Sequence, residues 1–300
     1  MSNAITNLRI KPAQKISGLS RGARILRNLT FIVPMTVMVI LVLTAIFAPL
    51  LAPYDPTEGN MLERRARPVF MEGGSTKHLL GTDHLGRDIL SRLIYGGRVS
   101  LSVSLLVIFI TAAVGSTLGI TAGYLGGRIE GFIMRVTDVA LSFPGLLLAI
   151  LLAVGIGPGF WTVVIALSML GWAGYSRMIR GEALRLRDSD FVAQARIIGS
   201  SPLRIMIKHI FPNVVNSLVV IMTLAVGLMI LAESTLSYLG IGIPAPISSW
   251  GSMVADGRND LDRAWWISFF PGVAIGLVVL SGNFLGDWIR DKMDPRLRRL

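Results

Sequence analysis

Long runs without a charged residue alternate with short polar interruptions along this chain, and their spacing predicts an all-α protein. Residues 28–54, 99–127, 139–176, 210–232 and 264–286 contain no Asp, Glu, Lys or Arg. Crossing about 30 Å of hydrocarbon at about 1.5 Å per residue takes roughly 20 apolar residues, so each run can supply a spanning helix. The run 139–176 can supply two. Gly155-Ile-Gly-Pro-Gly159 divides it, because such a cluster suits a turn and not a helix interior. Six spans follow, near 31–53, 99–124, 131–154, 160–180, 212–238 and 265–288.

The polar interruptions have patterns of their own. In 181–209, Ser189 or Asp188 can cap a short helix in which Phe191, Ala195 and Ile198 recur at helical spacing, and Gly199 offers its C-terminal stop. Ser201-Pro202 starts a second helix. Its Leu203, Met206, Ile207 and Ile210 face one way and Arg204 and Lys208 another, which predicts an interfacial helix leading into the fifth span at Pro212-Asn213. Between the first two spans, Arg87–Tyr95 predicts another interfacial helix, with Asp88 and Arg92 as an i,i+4 pair opposite Ile89, Leu90, Leu93 and Ile94. The loop 241–264, with Pro244, Pro246 and Trp250 and with Trp265-Trp266 at its boundary, suits a re-entrant or capping segment. Small residues four apart in the second span, including Gly115, Gly119 and Gly123, allow close helix packing, either within this chain or against a partner.

Composition agrees with a bilayer. Hydrophobic residues make up 52%, charged residues 16%, and mean hydropathy is +0.64, too little polar surface for a soluble globule of 300 residues. The net charge of +11 is unevenly placed. Six spans put both termini and 181–209 on one side, which then holds most of the 29 Lys and Arg and is expected to be cytoplasmic. That placement accounts for the charge through anionic lipid, and no nucleic acid is called for. The first apolar run is too long for a signal h-region and follows a basic segment with Arg9, Lys11 and Lys15, so a retained helix is expected.

Catalytic chemistry finds no foothold. Without cysteine there is no thiolate metal site, and His78, His84 and His209 are too dispersed to suggest zinc. Gly73-Gly-Ser-Thr-Lys77 lacks the spacing of a phosphate-binding loop, and neither H-E-x-x-H nor G-x-S-x-G occurs. The expectation is no catalytic residue, no metal site and no cofactor bound by this chain.

Asp190-Phe-Val-Ala-Gln-Ala-Arg-Ile-Ile-Gly199 followed by His209-Ile-Phe-Pro-Asn213 resembles the EAA loop of permease subunits of binding-protein-dependent ABC importers. The resemblance is nearest to the C-type permeases of dipeptide, oligopeptide and nickel systems. His78-Leu-Leu-Gly-Thr-Asp-His-Leu-Gly-Arg-Asp88, Leu236-Ser-Tyr-Leu-Gly-Ile-Gly242, Ser249-Trp-Gly251 and Gly286-Asp287 through Asp294-Pro295-Arg296 agree with it, in order, from about residue 30 to the C-terminus. It implies a type I importer permease fold, into which the apolar runs and the placement of charge divide the chain as a cytoplasmic segment 1–30, a first helix 31–53, an external loop 54–98, a five-helix core 99–288 and a tail 289–300. It also implies that 181–209 docks on a separate ATPase through Ala193, Gln194, Ala195 and Gly199. Ala193 and Gln194 stand where the family motif has Glu and Ala. A second permease chain, two ATPase chains that bind ATP and Mg, an external solute-binding protein and membrane lipid are the implied partners. A helix gripped differently in two states works as a lever.

Two acids in predicted spans are pathway or gate candidates, because charge in hydrocarbon is costly. Asp138 stands three residues beyond Arg135, which also suits a local ion pair. Glu233 has no basic neighbour in sequence; it is expected either to face the subunit interface and pathway or to bond a neighbouring helix. Trp250 joins them as a candidate for the outer gate. The alternative function is a secondary transporter or channel driven by an ion gradient, which would show internal repeats, broken helices and several midplane ionisable groups.

Overall fold

The computed structural model describes residues 21–74 and 76–293. The basic residues Arg9, Lys11 and Lys15 and the Asp294-Pro295-Arg296 motif lie outside the described residues. Among the described residues there is no strand, only isolated bridges pairing Gly59 with Arg87 and Thr82 with Asp88. The helices are α1 (Arg21–Ile46), α2 (Ile89–Leu125), α3 (Gly127–Ser142), α4 (Gly145–Ile156), α5 (Phe160–Arg187), α6 (Asp190–Ile197), α7 (Pro202–Tyr238), α8 (Trp250–Gly257) and α9 (Trp266–Met293).

The six predicted spans all fall on helices. Four of these, α2, α5, α7 and α9, are long and apolar enough to cross a membrane, and α3 with α4 makes a fifth as a bent pair. The sixth is the apolar part of α1, Phe31–Ile46, which is shorter. A break at Phe47 and a further turn at Ala48–Leu51 extend it.

Four local expectations are corrected. The third span is not one rod: α3 and α4 meet at 83° around Phe143-Pro144. Pro144 has no N–H to donate, and the residue before a proline is pushed out of the helical region, as Phe143 is at φ −80°, ψ 135°. Arg87–Tyr95 is not a separate interfacial helix, because α2 runs unbroken from Ile89. Gly96 and Gly97 continue it, since Trp250 lies so close that a Cβ at Gly97 would sit 2.8 Å from its ring. The predicted Asp88–Arg92 pair does not form. Asp88 instead caps α2, accepting from the Ser91 backbone N–H and hydroxyl, both at 2.8 Å. Finally, the amphipathic segment from Pro202 is the end of a spanning rod. A wide turn at Met206–Ile210, with the Phe211 N–H bonded to the Met206 carbonyl, carries the helix past Pro212, whose missing N–H would break a regular ladder. The Asn213 side chain donates to the His209 carbonyl at 2.7 Å.

The glycine stripe of α2 packs inside this chain, against α5. A Cβ at Gly115 would lie 2.5 Å from the Trp172 carbonyl oxygen, and one at Gly123 would lie 2.7 Å from the Ala183 Cβ. That close packing fixes the end of α5, which runs on to Arg187, so the first part of the predicted 181–209 loop is helical.

Candidate functional site

Helix α6 is seated by its small inner face. Val192 and Ala195 are buried in one cluster with Tyr124 of α2, Ala183 of α5 and Ile205 and Ile210 of α7. The inner face is therefore Val192–Ala195 and not the predicted Phe191–Ala195–Ile198, because Ile198 points away. Arg196 fixes the orientation, its guanidinium 5.3 Å from the centroid of the Tyr124 ring and donating to the Arg187 carbonyl at 3.1 Å. Ser189 occupies the capping position, but its hydroxyl donates to the Leu186 carbonyl, so the Ser189 backbone carbonyl alone starts the helix.

The helix stops as its sequence predicts. Gly199 has φ +83°, the Gly199 N–H bonds the Arg196 carbonyl and the Ser200 N–H bonds the Ala195 carbonyl. This pair of bonds closes a helix with a left-handed residue, which glycine accepts without a Cβ penalty. Of the four motif positions, Ala195 is buried, while Ala193, Gln194 and Gly199 are exposed. Ile197 and Ile198 are 85% and 81% exposed beside them. The outward face of α6 thus presents Ala193, Gln194, Gly199 and two isoleucines, on a helix whose opposite face is anchored in the core.

Asp138 does not pair with Arg135. Its partner is Arg177 of α5, at 2.6 Å, with the two side chains 61% and 56% exposed. One helical turn away from Arg177, Arg180 binds Glu130, so two ion pairs hold α3 to α5 on the loop side of the bend. Glu233 is 0% exposed and does not face outward from the chain. Ser100 of α2 donates to one carboxylate oxygen at 3.0 Å and Ser237 to the other at 2.8 Å, so of the two expectations the bond to a neighbouring helix is the one seen. Trp250 is also enclosed. Its backbone N–H donates to the Ser100 hydroxyl at 3.2 Å and its indole N–H to the Leu93 carbonyl at 2.9 Å. Glu233 and Trp250 therefore belong to one polar knot joining α2, α7 and α8, closed by Ser249 donating to Ser237 at 3.3 Å.

Beyond that knot, the 54–88 segment is locked down by ion pairs. Asp83 accepts from Arg87 and Arg92, and the same two guanidiniums reach Asp256 at 3.3 and 2.8 Å. Ser248 accepts a further bond from Arg92 at 3.0 Å. Burial would raise the Asp83 carboxyl, but Arg92, together with the backbone N–H and guanidinium of Arg87, holds it below the usual carboxylate range. His78 sits between Asp88 at 2.9 Å and Glu63 at 3.4 Å, and Arg65 binds Asp260 at 2.8 Å.

A family profile described as the binding-protein-dependent transport system inner membrane component matches residues 115–299, from the glycine stripe through α6 to the chain's end. A second, the N-terminal TM domain of oligopeptide transport permease C, matches 22–68. The chain belongs to this permease family. It is 40% identical over 261 residues to the di/tripeptide transport system permease protein DppC of Pseudomonas aeruginosa, covering 87% of this chain and 86% of that one. To the dipeptide transport system permease protein DppC of Bacillus subtilis it is 38% identical over 277 residues, covering 92% and 85%. To the glutathione transport system permease protein GsiD of Pectobacterium atrosepticum it is 37% identical over 261 residues, covering 87% and 85%.

The protein is thus a multi-pass membrane permease of a binding-protein-dependent transport system. The ion-gradient alternative falls on this family membership and not on helix shape, since the permease does contain a broken span. Sequence reasoning about this permease missed Arg177 as the partner of Asp138, and Ser100 as a partner of Glu233. Arg177 had a usable signal, because it is the first charge after the long apolar run. Ser237 had one too, standing four residues beyond Glu233 on the same helical face, whereas Ser100 had none, because it comes from a distant helix.

Proposed function

We propose that this permease forms half of the membrane passage of an ATP-driven importer for peptides or related small solutes. In this reading α6 is the coupling helix, and the observation that carries it is its two-sided construction: Val192 and Ala195 anchored in the core, Ala193, Gln194, Ile197 and Ile198 turned outward. A separate ATPase chain grips that outward face and binds the ATP and Mg. The chain itself performs no hydrolysis. Closure of two such ATPases moves α6, and α6 moves α5 and α7 through the cluster it shares with them. Both chain termini and α6 are cytoplasmic, the 54–88 segment is external, and a solute-binding protein delivers substrate there.

A second, similar permease completes the passage, because six helices with few polar positions do not surround a water-filled path alone. Asp138 and Arg177, charged and exposed on the flank of the bent span, face that passage, where charge and irregular backbone are tolerated. Glu233 and Trp250 act at the outer end by holding α8 to α2 and α7, not by touching solute. The substrate class rests on the relatives, which are transport permeases for dipeptides, di/tripeptides and glutathione by name.

Two measurements test the reading. Purification of the native complex should recover an ATPase with this chain, and its absence from an otherwise intact complex would sink the importer. Gly199→Trp should insert into membranes normally and bind the ATPase poorly, because the left-handed position is strained by any side chain and the indole projects into the docking face. Uptake should fall at least tenfold. Normal uptake in that variant would move the grip elsewhere.

A further inference from the structure

At the loop end of the molecule a groove of about 350 Å³ runs between α2 and the first turns of α7. One wall is Thr117, Ile120 and Thr121. The other is Leu203, Ile207 and Phe211, which are 63%, 57% and 42% exposed. Neither threonine has an O–H left to donate to a ligand: Thr117 donates to the Ala113 carbonyl at 2.8 Å and Thr121 to the Thr117 carbonyl at 2.7 Å. Both walls therefore present methyl and methylene groups, which suits a hydrocarbon occupant and not a polar peptide segment.

Leu203 to Phe211 spans about 12 Å of rod at about 1.5 Å per residue. Leu203 lies at the start of α7, and Phe211 lies toward the apolar middle of the span. Arg204 and Lys208, each the next residue after a groove residue, are exposed. Among the described residues neither forms an ion pair. Two cations one helical turn apart, each next in sequence to a groove residue and without an ion pair among the described residues, at the end of a spanning helix, complement a phosphate headgroup above an acyl chain.

We propose that this groove binds one anionic phospholipid, its acyl chain lying between α2 and α7 and its phosphate held by Arg204 and Lys208. Occupancy braces α7 against α2 beside the seat of α6. The inference needs a bilayer but not a particular transported solute, so a wrong substrate assignment leaves it standing.

The test uses the full complex in detergent, with thermal denaturation followed as phosphatidylglycerol or phosphatidylcholine is added. Phosphatidylglycerol should raise the midpoint by several degrees and phosphatidylcholine by clearly less. R204Q/K208Q should abolish the difference. Thr121→Trp, which fills the groove and keeps both cations, should abolish it as well. A photo-crosslinking benzoylphenylalanine in place of Ile207 should label added phosphatidylglycerol. Equal protection by both lipids, an equal shift from glycerol phosphate alone, or crosslinking to a protein chain in place of lipid would each overturn the proposal.

Discussion

The two ends of this permease are finished to different degrees. At the 54–88 end, two carboxylates and two guanidiniums balance one another: Asp83, Arg87 and Arg92 are buried and Asp256 is partly so. His78 and Asp88 close the N-terminus of α2, and Glu233 finds its donors within the chain. At the loop end the reverse holds. Ile197 and Ile198 stand exposed on α6, Leu203 and Ile207 on α7, and among the described residues Arg204 and Lys208 have no counter-charge. An end whose buried charges pair with one another is built to stay in one shape. An end that leaves apolar surface and charge open is built to be completed by something else.

Substitutions can break that contrast, and the largest effect should come at the finished end. Arg92→Leu leaves Asp83 and Asp256 sharing the single guanidinium of Arg87, and losing one partner of a buried ionic network costs about 3–5 kcal/mol. Detergent-solubilised protein should show a large fall in its denaturation midpoint, and an unchanged midpoint would mean that the network is not sealed from water. Glu233→Leu should come next. It takes away the acceptor of the buried Ser100 and Ser237 O–H groups at about 1–3 kcal/mol, whereas Glu233→Gln keeps an acceptor and should lose much less. Equal loss in the two variants would show that charge, not hydrogen bonding, matters there. The smallest effect on stability should be Ile197→Ser with Ile198→Ser, within about 0.5 kcal/mol because both side chains are exposed. The same double variant should lose ATPase binding, and an intact complex would erase the distinction between the two ends.

The spans were legible because burial in hydrocarbon demands an unbroken stretch of apolar residues, and nothing nearby in sequence can substitute for it. The turn at Gly155–Gly159, the left-handed stop at Gly199 and the helix start at Pro202 were legible for a similar reason, since glycine and proline act on their own backbone. Partners were not. Asp138 had Arg135 three residues away, yet Arg177 binds it from the neighbouring helix, 39 residues along the chain. Asp88 and Arg92 had the spacing of an ion pair, and both were drawn to stronger partners brought by other segments. The inner face of α6 was also misread, because helical spacing allows several faces and only the cluster around Tyr124 selects Val192 with Ala195.

What the sequence determined by itself was everything that depends on the chain's local exchange with lipid and water: helical class, the positions of the spans, the polar loop and its glycine stop. The tertiary structure decided what depends on distance through space. It turned the stripe at Gly115, Gly119 and Gly123 inward onto α5, closed Glu233 inside a knot of serines and left the outer face of α6 bare. Local backbone preferences and hydrophobicity are properties of neighbouring residues, whereas ion pairs, close packing and exposure exist only once distant segments have met.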